Sequence, residues 1–261
     1  MTSGTLLYRD LKTLAKLGSG AVGNAKMTAQ GYTPSQIQAF LQPIVIDSHP
    51  LNNPWIDYNM YLSSMHIPGA IMLFVFLISA YALGTELKFG TSKEWLAMAD
   101  GDIFVALAGK FLPHMMIFLI ILLGYDYYAF GILHFSHAGS VWTIILTTVF
   151  TLMASQCFGI FAFGLAPTLR MSMSICSLWA VLSFTTVGTA FPISAMDTPI
   201  QALALLFPLR HYYMIYQICI LNGFPWTDAL IYFGGLALFV VLPLFFIGRI
   251  RKAMLEFEYT P

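Results

Sequence analysis

Few side chains in this sequence could do chemistry, and they fall into a handful of places. The first is Gly84 to Ala99, which holds Glu86, Gly90, Thr91, Glu94, Trp95 and Met98. Thr91 and Glu94 have the T-x-x-E spacing of a capping box, which starts a helix at Ser92. Asp100-Gly101-Asp102 stops it after about two turns. Trp95, Leu96 and Met98 give that helix apolar surface, while Lys93 and Glu94 stay wet. A short capped amphipathic helix at a membrane surface suits docking to a cytoplasmic partner, and it equally suits an interfacial elbow between two spans. The second place is 191–223, punctuated by Pro192, Pro199 and Pro208 and containing Thr198 and Arg210. The third is a scatter of polar residues inside apolar runs: Asp126, Ser155, Gln156, Ser183, Thr185, Thr186 and Thr189. They could line a polar route through a membrane, or simply hydrogen-bond neighbouring helices. Ser155 and Gly159 form a small-xxx-small pair, which favours close helix packing.

No set of residues reads as catalytic or metal-binding. His134 and His137 are three apart, and Asp126 is the one acid near them, short of a ligand set. Cys157, Cys176 and Cys219 show no CxxC spacing and lie in apolar stretches, so they read as buried thiols. No G-x-x-x-x-G-K-[ST] occurs. Gly109-Lys110 is followed by Phe111 at the root of an apolar run, so no phosphate cradle is expected.

The elements that must position these residues are membrane helices. Of 261 residues, 58% are apolar and only 9% are charged, with 12 basic and 12 acidic side chains. Mean hydropathy is +0.76. A soluble domain carries about a quarter charged residues. The composition excludes a soluble globular protein, a disordered chain and a nucleic-acid binder. A spanning helix needs about 20 apolar residues. Five stretches qualify: Ile67 to Leu87, Ile103 to Leu133, Val141 to Leu165, Met173 to Ala190 and Asp228 to Ile250. The prolines in 191–223 leave pieces too short to cross. Thr198 as N-cap, Pro199 at N1 and Gln201 as its capping-box partner start one helix. Another runs from about Leu209 to Asn222 with Gly223 after it. Together they predict a helical hairpin dipping in from the outer face. Asp126 lies about 22 Å along its helix from Phe111, near the outer interface.

Loop charge orients the bundle. Lys88, Lys93, Lys110, Arg170, Arg249, Arg251 and Lys252 fall on one side, expected to be cytoplasmic, and only Arg210 falls in the opposite short loops. Tyr125, Tyr127, Tyr128, Trp142 and Trp226 fall at the outer boundary. Residues 1–64 are then a partial extracytoplasmic segment, and 65–261 a transmembrane domain with a cytoplasmic C-terminus. The outer segment reads as mixed α/β. Thr33-Pro34-Ser35-Gln36 starts a helix, and Pro43 to Asp47 is a strand candidate. It shows no signal peptide and is small for a core of its own, so an upstream helix and more ectodomain are expected.

Glu86, Gly90-Thr91, Glu94 and then Ala108-Gly109-Lys110 with Pro113 resemble the cytoplasmic signature of ABC-2 type transporter permeases. Asn53-Pro54 with Ile67-Pro68-Gly69 is similar to the approach to that family's second helix. Phe191-Pro192-Ile193-Ser194 with Met196, and Phe207 to Tyr213, resemble the segment between its last two spans. The resemblance covers about 50 to 258 and fits the subgroup with a large ectodomain between the first two helices. Lys93 and Trp95 depart from the family's more frequent residues. The resemblance implies a mainly α membrane bundle with six spans in a complete member, five of them here. It implies a permease subunit of an exporter that pairs with a second permease subunit and binds a separate ATPase carrying ATP and Mg. A periplasmic membrane-fusion protein is a further partner the family admits. Glu86, Gly90, Thr91, Glu94, Trp95 and Met98 would form the coupling helix. Pro192, Thr198, Pro199, Pro208 and Arg210 would form an external gate. Asp126, Gln156, Ser183 and Thr186 are candidate pathway residues. The chain itself would need no cofactor and would not be an enzyme.

Three other classes compete. A secondary transporter usually shows internal repeats and mid-membrane charge, and neither is found. A membrane enzyme would want a nucleophile and base at one depth. A non-transporting anchor or remnant remains compatible with the residues. Phe- and Met-rich walls suit an amphiphilic, lipid-like or drug-like substrate entering from the cytoplasm or inner leaflet.

Overall fold

A computed structural model describes residues 57–189 and 191–257, together with 7, 10–14, 17, 23, 26–33 and 37. The strand candidate Pro43 to Asp47, Pro34-Ser35-Gln36 and Asn53-Pro54 lie outside the described residues. Within the expected first helix start, the Ile37 amide donates to the Thr33 carbonyl at 2.9 Å. The chain divides into two compact units, 1–58 and 59–261. No strand occurs among the described residues.

The second unit is a helical bundle. Its elements are α1 (Tyr58–Lys88), α2 (Ser92–Ala97), α3 (Ile103–Asp126), α4 (Val141–Leu165), α5 (Leu169–Thr186), α6 (Thr198–Ala204), α7 (Pro208–Ile215), α8 (Leu230–Val241) and α9 (Ile247–Glu256). α3 runs on as a wider π-helical turn, Tyr127–Ile132, and α7 as another, Tyr216–Leu221. Four helices among the described residues are long and apolar enough to span: Tyr58–Lys88, Ile103–Ile132, Val141–Leu165 and Trp226–Glu256. The fifth expected span forms α5, which starts and ends earlier than Met173 to Ala190. Thr168 caps its start by accepting the Met171 amide, and Gly188 at φ +96° follows its end. Arg170 and a run of Ser and Thr keep α5 out of the strongly apolar set. The last span is not one regular helix. Pro243 has no N–H to give, so Leu242–Phe246 tightens to 3₁₀ between α8 and α9.

α4 is the axis of the bundle. Its apolar window is 61% buried, against 22% for Ile103–Ile132 and 17% for Trp226–Glu256. Gly159 explains how α1 comes so close: a Cβ there would lie 2.6 Å from both the Phe76 carbonyl oxygen and Ser79 Cβ. Phe158, beside it, stacks on Trp179 and packs at a tilt against Phe76 in the main core. The small-xxx-small pair is thus a packing device.

The two helices expected in 191–223 are present, as α6 and α7, joined through Leu205–Phe207. The arms measure about 10 and 20 Å, and the second arm is buried: Leu209, Tyr212, Tyr213, Ile215 and Tyr216 all belong to the main core. Pro68 and Gly69 in α1 fix that arm. Pro68 has no amide to return to the Ser64 carbonyl, and the Tyr212 hydroxyl donates to that carbonyl at 3.2 Å. Gly69 leaves room for Leu209 and Phe184, whose atoms would lie 3.2 and 2.7 Å from a Cβ. The helix start differs by one residue from expectation. Asp197 is the N-cap, Thr198 is N1 and Pro199 N2, and Gln201 donates its side-chain amide to the Met196 carbonyl instead of closing a capping box. The Asp197 carbonyl already accepts the first helical amides, from Ile200 and Gln201, so the turn begins there.

Tyr212→Phe removes only the hydroxyl and strands the Ser64 carbonyl away from water. A cost of about 1–3 kcal/mol is expected, read as a lower thermal-aggregation midpoint of the detergent-extracted chain with its yield in membranes retained.

Candidate functional site

The signature residues of the Gly84–Ala99 segment converge with Lys110. α1 ends in a Schellman motif. The Thr91 amide donates to the Glu86 carbonyl at 3.0 Å and the Gly90 amide to Leu87 at 3.2 Å, with Gly90 at φ +71°. Reversing the chain there requires glycine's freedom at positive φ. The Glu86 carboxylate then accepts from both the Thr91 hydroxyl and the Lys110 ammonium. Both partners of the ion pair are largely buried, with side-chain exposures of 18% for Lys110 and 16% for Glu86. Lys110 Nζ also sits 5.2 Å from the centre of the Trp95 ring, a cation–π contact. One carboxylate, one ammonium, one hydroxyl and one indole thus tie the end of α1, the start of α3 and α2 together.

α2 begins at Ser92 as expected, but the capping box does not form. The Thr91 backbone is already helical and its hydroxyl makes no cap; it bonds Glu86 instead, and Glu94 points to solvent. A carboxylate already paired with a lysine is the stronger acceptor for that hydroxyl. The inward side of α2 is Trp95 and Leu96, 8% and 2% exposed, packed with Leu83, Leu87, Phe111, Ile250 and Met254. Each such burial contributes roughly 1.5–3 kcal/mol. Ser92 anchors the helix to α9 by donating to the Met254 carbonyl at 2.7 Å. The outward side carries Lys93, Glu94 and Met98, with Met98 81% exposed. Asp102 caps α3 by accepting the Phe104 amide at 2.8 Å.

The hairpin residues are placed differently. Pro192 and Pro199 are exposed, whereas Pro208 is buried at the start of α7. Trp179 donates to the Leu206 carbonyl at 3.1 Å and a His211 ring nitrogen bonds the Leu205 carbonyl at 2.8 Å. Trp179 lies about 12 Å inward of Val187 along α5, which sets how deep the Leu205–Phe207 link reaches. Arg210 donates to the Val187 carbonyl at 2.8 Å, a cation closing the C-terminal end of α5.

The four candidate pathway residues each bond to a different partner. Ser183 and Thr186 bond back to the Trp179 and Leu182 carbonyls within α5. Gln156 donates across to the Phe111 carbonyl of α3 at 2.9 Å. Asp126 accepts from Thr148 of α4 at 2.7 Å and lines a cavity of about 400 Å³ at the Trp- and Tyr-rich end. Sequence reasoning passed over Ser92, Thr148 and Tyr212. Lys110 stood in the motif, but its partner Glu86 is 24 residues away, and spacing along a chain with an intervening helix carries no signal of the pairing.

A profile described as ABC-2 family transporter protein matches residues 4–249. The chain belongs to the ABC-2 transporter family. The match takes in residues 4–49, which the sequence resemblance, from about 50, does not reach. No curated protein and no solved structure matches the chain. As an ABC-2 family member it is a transport permease embedded in a membrane, of a kind that works with an ABC ATPase in a dimeric arrangement.

Lys110→Met leaves the Glu86 carboxylate without its counter-ion in a mostly dry setting, at a cost of about 3 kcal/mol. The Glu86→Gln, Lys110→Met double variant should recover more than half of the lost thermal midpoint. Equal losses for single and double variants would mean that the pair is not coupled.

Proposed function

We propose that this chain is the permease subunit of an ATP-driven exporter, coupled through α2 to a separate cytoplasmic ATPase that binds ATP and Mg. The observation that supports this most is the Glu86–Thr91–Lys110–Trp95 clasp. Together with the Ser92–Met254 bond it fixes a two-turn helix to α1, α3 and α9 while leaving Lys93, Glu94 and Met98 on its open face. A lever needs both properties: a surface for the partner and a stiff connection to the bundle. Movement of α2 would be carried by Lys110 into α3 and by Ser92 into α9. The Lys- and Arg-rich end is cytoplasmic in this reading, because positive loops stay inside, and the membrane is the inner, cytoplasmic one. The lightly buried apolar faces of Ile103–Ile132 and Trp226–Glu256 are available to lipid and to a second permease subunit. The α6–α7 segment is the external gate, with Pro208 buried at the start of its second arm and Arg210 holding it to α5. The cargo is an amphiphile or lipid-like compound taken from the cytoplasm or inner leaflet.

Glu94→Arg combined with Met98→Glu alters only the open face of α2. Affinity purification from gently solubilised membranes should recover a Walker-motif ATPase with the unaltered chain and at least tenfold less with the double variant, at equal chain abundance. Gly90→Trp forces a bulky side chain into positive φ and should give the same loss. Unchanged ATPase recovery with these variants would remove the coupling assignment.

A further inference from the structure

The cavity beside Asp126 has no role in the coupling scheme. It opens where α3 widens into its π-helical turn and faces the start of α4, and π-helical insertions often mark functional sites. Its walls are apolar, with Leu123, Ile144 and Ile145 on the two helices and the rings of Tyr127 and Phe130 on the π turn. The one acid in the lining is Asp126. One of its oxygens, Oδ2, accepts the Thr148 hydroxyl, and no Lys, Arg or His ion-pairs with it among the described residues. His137, also in the lining, faces the Phe135 carbonyl through Nδ1 at 3.1 Å and tilts against Phe130 at 5.0 Å. An acid at the edge of hydrocarbon usually has a partner. Here the acid's protein partner is a neutral hydroxyl, and the aromatic residues lining the cavity beside the carboxylate complement a cation. The volume of about 400 Å³ lies within the size range of small-molecule pockets.

We propose that this cavity binds a hydrophobic organic cation, with Asp126 as counter-ion and Tyr127 and Phe130 as its aromatic walls. Thr148 engages Oδ2, which leaves Oδ1 free of that bond to meet the ligand's charge. The site deepens the transport reading by naming a cationic amphiphile as cargo class, and it rests on that reading only for the cargo role. Binding itself does not depend on an ATPase.

The test uses two probes of like shape and opposite charge, tetraphenylphosphonium and tetraphenylborate, with the purified full chain in lipid nanodiscs. Equilibrium binding of labelled tetraphenylphosphonium should be saturable, and tetraphenylborate should not displace it. Asp126→Asn keeps an acceptor for Thr148 and should weaken phosphonium binding at least tenfold. Ile145→Trp fills the cavity from the α4 side and should abolish binding while leaving Asp126 in place. No saturable binding, displacement by tetraphenylborate, or Asp126→Asn within twofold of the unaltered chain would each overturn the proposal. Absence of any ATPase from the purification of the unaltered chain, with phosphonium binding intact, would count against the transport reading alone.

Discussion

A backbone carbonyl in hydrocarbon has no water to turn to, and leaving it unpaired costs several kcal/mol. That constraint shapes this bundle because its helices are repeatedly interrupted. Pro68 frees the Ser64 carbonyl, and Tyr212 supplies a hydroxyl. The link between α6 and α7 exposes the carbonyls of Leu205 and Leu206, and His211 and Trp179 satisfy them. α5 ends at Val187, and Arg210 donates there. The π-helical arm ends near Ile220, whose carbonyl takes the amides of both Ala138 and Gly139. Each donor comes from another element. The repairs are therefore also the joints of the molecule, and they tie the α6–α7 segment to α1, to α5 and to the loop before α4.

The two ends of the bundle are built by different chemistry. One end is ionic and compact: Glu86 and Lys110 meet under Trp95, and α2 is clamped between α1, α3 and α9. The other end is held by tyrosine hydroxyls, with Tyr61 donating to the Thr189 carbonyl and Tyr125 to the Ser63 carbonyl at 2.8 Å. A charge-assisted clasp is stiff. A set of neutral hydroxyl bonds exchanges partners at lower cost. In the proposed exporter, the first suits transmission of force and the second suits an end that must open.

Legibility in the sequence was uneven. The start of α2 at Ser92 was readable from local spacing, since Asp100-Gly101-Asp102 and the Gly90-Thr91 pair are strong local punctuation. The absence of a capping box was not, because Thr91 bonds Glu86 and not the helix it precedes. The helix pair α6 and α7 was legible from its prolines, which act locally. Its burial was not, because Tyr212 and Tyr213 are equally at home at a membrane interface. α5 shifted toward its N-terminus because hydropathy counts carbons, whereas Thr168 and Gly188 set where the backbone turns.

The sequence by itself determined the solvent, the class and the approximate spans. Apolar runs of about 20 residues and their flanking cations depend only on transfer free energy, summed locally. Tertiary structure alone decided which polar groups meet. Glu86 with Lys110, Asp126 with Thr148, Ser92 with Met254 and Tyr212 with Ser64 lie between 22 and 162 residues apart. Such pairings depend on how helices cross, as at Gly159, where the missing side chain lets the Phe76 backbone approach, and at Gly69, where it makes room for Phe184 and Leu209. Such crossings are set by shape on both partners at once, and no window along one chain segment contains both halves.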